Sequence, residues 1–179
     1  MTKNSLKDLY IDELRDIFDA ENQITKALPK MVKASSSEEL RQAFEQHLEQ
    51  TKGQIERLEK IFKMLGQKST GKKCFGMEGL LREGSEIMGE DFGEELMDAA
   101  LISAAQRVEH YEIAAYGTVC SFASLLGESE HKSLLEETLN EEKQTDKNLT
   151  EISKHINPET EHGEMSEEER EKRKSRRIA

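Results

Sequence analysis

Leu6, Tyr10, Leu14, Ile17, Glu21, Ile24, Leu28 and Met31 recur at intervals of three and four residues, and one of the eight is an acid. The spacing predicts a long amphipathic helix from about Ser5 to about Lys33. The same irregularity returns downstream. Glu112 and Glu142 each fall on the apolar stripe of another long segment, and Asp146 sits one turn beyond Glu142. A carboxylate in a position suited to Leu or Ile is costly to bury unless it is paired, protonated or bound to a cation. Several converging on one interior point to a metal site.

The remaining segments complete an all-α pattern. Ser35-Ser36-Ser37-Glu38-Glu39 reads as a tight turn with overlapping capping boxes, such as Ser36 with Glu39. A second helix follows to about Leu65, with Leu40, Phe44, His47/Leu48, Thr51, Ile55, Leu58, Phe62 and Leu65 inward and Gly66 as its stop. The short turn makes these two helices antiparallel neighbours. Residues 66–93 hold seven of the eleven glycines and read as a crossover carrying a short helix, roughly Gly76 to Met88. A third long helix is expected from about Glu94 to Leu126. Its stripe is Leu101, Ala104, Val108, Glu112, Ala115, Val119, Phe122 and Leu126. A fourth is expected from near Ser129 to near Ile156, with Leu135, Leu139, Glu142, Asp146, Leu149 and Ile152 inward and Pro158 beyond its end. Two helix hairpins joined by a long crossover make a ferritin-like four-helix bundle with a short extra helix. Residues 1–156 form that bundle, and 157–179 form a charged tail, either solvated or a docking arm.

Length and composition agree with this reading. The 179 residues suit one domain with a sizeable core, and only two prolines favour uninterrupted helices. A net charge of -11 argues against nucleic-acid binding and favours attraction of cations. Cys74 and Cys120 lack C-x-x-C spacing and read as reduced thiols. No secretory signal or membrane span is visible, so a cytoplasmic protein is the default expectation. The Gly76–Gly84 stretch lacks the lysine and the preceding strand of a phosphate-binding loop.

The acids also agree in depth. Glu21 lies about fifteen residues before the first turn and Glu112 about sixteen before the second, which sets both at mid-bundle. Such carboxylates suit iron or manganese, one or two ions per chain. Di-metal bundles take a Glu from each of two helices and Glu-x-x-His from each of the other two. Here Glu49-Gln50-Thr51-Lys52 and Glu142-Lys143-Gln144-Thr145 carry lysine and threonine in place of histidine. By helical phase Glu49 lies nearly opposite the second stripe, whereas His47 and Thr51 face inward. His47 and Glu49 therefore compete for the second-helix position. Glu109 lies at the edge of the third stripe, and His110 lies outside it. Glu136-Glu137, Glu141 and Glu151 read as an ordinary solvated face. The alternative to a metal centre is a non-enzymatic bundle whose acids are paired or protonated and which acts by association, its alanine-rich third helix forming a dimer contact.

The segments HLEQTKGQIERLEKIF (47–62), KCFGMEGLLREG (73–84), AALISAAQRVEHYEIAAYGT (99–118) and LLEETLNEEKQTDKNLTE (134–151) resemble the bacterial YciE/YciF family. The resemblance spans about residues 4–155. It implies a ferritin-like, stress-associated bundle similar in fold to rubrerythrin, a homodimer and a metal centre. Rubrerythrin-like sites carry Glu-x-x-Glu on the third helix, as Glu109-x-x-Glu112 does here. They place further carboxylates at Glu21, Glu49 and Glu142. No rubredoxin-type cysteine cluster is present. If active, such a site would hand electrons from bound metal to peroxide or oxygen.

Overall fold

The structure, a computed structural model, describes residues 4–160 apart from the side chain of Glu159. Five helices occur among them: α1 Leu6–Ala34, α2 Glu38–Leu65, α3 Phe75–Ile87, α4 Glu94–Leu125 and α5 Ser129–Thr160. The helices α1 and α2 pair as one hairpin and α4 and α5 as the other. The bundle closes where α1 meets α4 and α2 meets α5, and α3 lies across α1 and α4. This is the ferritin-like arrangement. Among the described residues no helix is long and apolar enough to cross a membrane.

Local chemistry explains the boundaries. Ser5 and Asp8 form a reciprocal capping box at the start of α1. The helix α2 ends at Gly66, whose φ of 62° is the left-handed conformation that glycine adopts without a Cβ clash. There Gln67 N donates to the Phe62 carbonyl at 3.0 Å. Gly127, with φ 73°, ends the second hairpin's first helix in the same way, and Glu128 N donates to the Ala123 carbonyl at 2.9 Å. The helix α5 continues through Pro158 to Thr160, past the end expected near Ile156. Proline removes one N–H, a small loss in a final turn whose carbonyls have few partners anyway. The part of the expected tail from 161 to 179 lies outside the described residues.

The first turn differs from its expected chemistry. The N-cap of α2 is Ser37, whose Oγ accepts from Leu40 N at 3.3 Å. Ser36 is not a cap, because its hydroxyl donates to Asp98 Oδ2 at 2.6 Å. Asp98, on α4 and 2% exposed, accepts also from Ser35 Oγ (3.1 Å), Ser36 N (2.9 Å) and Ser37 N (2.7 Å). One carboxylate thus ties the α1–α2 turn to α4 and sets the relative height of the two hairpins.

The crossover is fixed at α3. A Cβ on Gly76 would stand 2.8 Å from the Tyr111 ring of α4, so only glycine permits this approach. The Tyr111 hydroxyl lies 2.9 Å from Cys74 Sγ and donates to Asp16 Oδ2 at 2.9 Å.

We expect Asp98→Ala to cost about 2–4 kcal/mol, since it strands two backbone N–H groups in a half-buried turn. Ser36→Ala, which removes one hydroxyl, should cost about 1 kcal/mol. Urea denaturation of the two variants would check the ranking. Equal stability of Asp98→Ala and the parent would refute the clamp.

Candidate metal centre

Each of the four long helices sends at least one polar side chain to the bundle axis. Glu21 of α1, His47, Thr51 and Gln54 of α2, Glu109 and Glu112 of α4, and Glu142 and Thr145 of α5 are all buried. Above and below them the interior is chiefly apolar, with His131 and Thr138 as buried polar members on the α5 side. One layer contains Tyr10, Leu14, Leu58 and Leu135, and the other contains Leu28, Phe44, Leu101 and Leu149.

Four of these residues converge closely. His47, Glu109, Glu112 and Glu142 each offer an atom, and these atoms lie within 4.8 Å of one another. Glu21 stands beside Glu112, where it accepts a hydrogen bond from the Tyr116 hydroxyl. Gln54 Nε2 donates to Glu142 Oε1 and, at 3.1 Å, to Glu141 Oε2. Arg57 grips Glu141 with two nitrogens, each 2.7 Å from a carboxylate oxygen. Glu141, expected on a solvated face, is therefore half-buried and part of the support. The chain Arg57–Glu141–Gln54–Glu142 carries orientation from the surface to the axis.

Two sequence-predicted residues stay outside. Glu49 is exposed and pairs with Lys52 at 2.5 Å. It lies two residues from His47, about 200° around the helix, so both cannot face the axis. Asp146 lies at the α4–α5 seam, where it accepts from Gln106 Nε2 at 3.0 Å and sits 3.4 Å from His110 Nε2. The inward position is Thr145. In α5 the buried series is His131, Leu135, Thr138, Glu142, Thr145, Leu149, Ile152 and Ile156, a strict alternation of four and three. Choosing the apolar Leu139 over Thr138 shifts the expected stripe by one residue and brings Asp146 in wrongly. Glu109, expected at an edge, is 1% exposed because the buried face of α4 centres on the series Asp98, Ile102, Ala105, Glu109, Glu112, Tyr116, Val119 and Ala123, and the expected stripe through Ala104, Val108 and Ala115 ran along the side nearer α3.

Gln54 and Tyr116 were missed. Gln54 lies seven residues after His47 and seven before Ile61, so a heptad count places it inward although its polarity argues otherwise. Tyr116 follows Glu112 by one turn, where Ala115 was expected inward.

The electrostatics are those of crowded, dry carboxyls. Burial, then the neighbouring acids, push Glu109 and Glu112 well above the usual carboxylate range. Burial and Glu142 do the same for Glu21, with Tyr116 opposing. Glu142 is pushed up to about 7, chiefly by burial, with hydrogen bonds from its neighbours opposing. Burial pushes His47 down to about 4, so its ring is neutral near pH 7. The 3.3 Å approach of His47 Nε2 to Glu109 Oε1 is thus not a pairing with an imidazolium. Among the described residues, no lysine or arginine forms an ion pair with Glu21, Glu109, Glu112 or Glu142.

A cation fits this donor set. Both His47 nitrogens, both Glu112 oxygens and one oxygen each of Glu21, Glu109 and Glu142 are buried without a hydrogen-bond partner. Oxygen donors with a single imidazole suit iron or manganese better than soft metals.

Comparison with known proteins follows the same lines. Residues 5–161 match the family described as "Domain of unknown function (DUF892)". The chain belongs to this family. It is 46% identical to protein YciF of Escherichia coli K12 over 154 residues, 86% of this chain and 93% of that protein. The crystal structure of the E. coli stress protein YciF superposes with a TM-score of 0.82, covering 84% of this chain and 96% of the other. YcfI of Rhodopseudomonas palustris matches at TM-score 0.80 and 46% identity, over 82% of this chain and 94% of the other. A Xanthomonas campestris protein, 19% identical with a TM-score of 0.72, shares the fold over 89% of this chain and 99% of its own. The YciF resemblance is thus confirmed over the whole bundle.

The shifted carboxyls predict an unusual pH dependence for metal-free protein. The folded state retains protons that the unfolded chain releases above its ordinary carboxyl value of 4.5. The contribution of Glu142 is therefore fully present below 4.5 and lost as pH rises through about 7. His47 has the opposite sign, because its neutral form is the buried one, but its slope is confined between about 4 and 6.5. From about pH 6.5 upward the carboxyls act alone, so the melting temperature of chelator-treated protein should fall. Glu112→Leu should raise that temperature and flatten the slope, because it removes a buried unpaired acid. A parent whose stability climbs from pH 6.5 to 8 would contradict this account.

Proposed function

We propose that His47, Glu109, Glu112 and Glu142, with Glu21 beside them, hold one or two ions of iron or manganese. We read the loaded protein as a stress-response bundle that disposes of oxygen or peroxide together with ferrous iron. The observation that carries this is the set of unpartnered donor atoms on four helices at one level. The stress protein YciF, 46% identical, supports the setting.

Bound ferrous iron supplies one electron per ion; two such electrons and two protons reduce hydrogen peroxide to two waters, or dioxygen to hydrogen peroxide. The chain's residues do the rest. Three or four carboxylates exchange their protons for the cation and offset its charge. His47, neutral near pH 7, is ready to give a nitrogen lone pair. Tyr116 and Gln54 each occupy one oxygen of Glu21 and Glu142 and leave the other free. The apolar layers above and below keep bulk water away.

The cytoplasm suits this reading, and the buried, unpaired Cys74 and Cys120 are consistent with a reducing compartment. A second reading, a non-enzymatic homodimer, draws on the exposed Phe75 and Leu125, each 73% exposed. In that case shared protons, not metal, would satisfy the acids.

Metal content after anaerobic loading with Fe(II) or Mn(II), followed by desalting, separates the two. The parent should retain about one or two equivalents per chain. Glu112→Leu and His47→Ala should lose them, while Glu49→Gln, altered only at the surface, should match the parent. Tyr116→Phe should weaken binding about tenfold or more. No retained metal in the parent, with dimers by light scattering, would favour association.

A further inference from the structure

We propose that dioxygen, in preference to peroxide, reaches the centre through an apolar cavity that opens at the α2–α5 seam; this rests on the metal reading above. The cavity has about 40 Å³ of room for the centres of water-sized molecules. That is enough for about three of them. Its walls include Ile24, Leu28, Phe44 and Leu149. His47, Glu109 and Thr145 also line it, so it reaches two members of the cluster directly. Gln46, Gln50 and Asn148 form its rim; Gln46 and Asn148 are exposed, which gives the cavity a side toward solvent. A smaller void of about 20 Å³ beneath α3 shares Ala27, Met31, Leu81 and Val108 with it, which extends the apolar space across the bundle.

The lining selects by polarity. Ordered water or peroxide needs several hydrogen-bond partners, whereas an apolar void takes up apolar guests. Between the amides of the rim and His47 and Glu109 at the inner end, the walls offer no partner of this kind, since the Thr145 hydroxyl is given back to the Glu141 carbonyl at 3.2 Å. An ion crossing the apolar stretch before His47 and Glu109 would be stripped of water without compensation. A small neutral apolar molecule meets neither obstacle. His47 and Glu109 close the inner end, with Glu112 and Glu142 beyond them, so the apolar space ends where the donor atoms begin.

Xenon, apolar and of suitable size, serves as the probe. Metal-free crystals under xenon pressure should show an anomalous peak in this cavity, and crystals of Ala43→Phe should not. In stopped-flow measurements on Fe(II)-loaded protein, oxidation by dioxygen should slow about tenfold in Ala43→Phe at unchanged metal content, as for a closed gate. Oxidation by hydrogen peroxide should slow less. Ala27→Leu fills the same space from α1 and replaces Ala43→Phe if that variant does not fold. No xenon in the parent, or a parent-like dioxygen rate in a folded, filled variant, would overturn the route. Equal slowing with both oxidants would overturn its preference. Metal-free parent after loading would instead sink the metal reading, and the route with it, whatever xenon shows.

Discussion

Mutual repulsion among buried carboxyls without a basic partner is the constraint on which this molecule turns. Glu21, Glu109, Glu112 and Glu142 are each at most 1% exposed and share one level of the bundle. Arg57 could have supplied a counter-charge, but its guanidinium is committed to Glu137 and Glu141 nearer the surface. The acids must therefore hold protons or a cation. Either solution takes the same geometry, so the site is built for a positive charge that the polypeptide does not provide. An apolar layer at this level would be the more stable protein, which marks the cluster as a functional cost and not a folding device.

The rest of the architecture holds those acids in place. The Asp98 clamp on Ser35, Ser36 and Ser37 sets one hairpin's height against the other's. Tyr111, packed on Gly76 and bonded to Cys74 and Asp16, does the same for the crossover and thereby for α4. The apolar layers on either side provide close packing that limits how far the carboxyls can separate. Small shifts in helix height would part His47 from Glu142, since they come from different hairpins.

Much of this was legible from spacing alone. Glu21 sits in a three-four series whose other members are apolar, and Glu142 lies between Leu135 and Leu149 at seven-residue spacing, so the inward direction of both was readable within their own helices. The His47 and Glu49 alternatives were separable in principle, because two residues turn a helix by more than half a circle. Polarity misled at Thr138, Thr145 and Gln54. Each is buried at a heptad position, and each looks like a surface residue beside Leu139 or Ile55. Thr145 can be buried because its hydroxyl returns to its own helix, and Gln54 because both nearby glutamates accept its amide. Those partners come from helix geometry or from a distant segment, so composition could not reveal them.

By itself the sequence determined that four long helices would form, where the first three would stop and that acids would be carried inward, because these depend on periodicity and on end-capping within a few residues. Only tertiary structure decided which acids meet. Glu109 became central because the rotation of α4 turns it toward His47 and Glu142, Asp146 was left at a seam by the phase of α5, and Tyr116 found Glu21 across 95 residues of chain. Those outcomes rest on helix rotation and relative height, quantities set by packing between elements and not by any pattern within one of them.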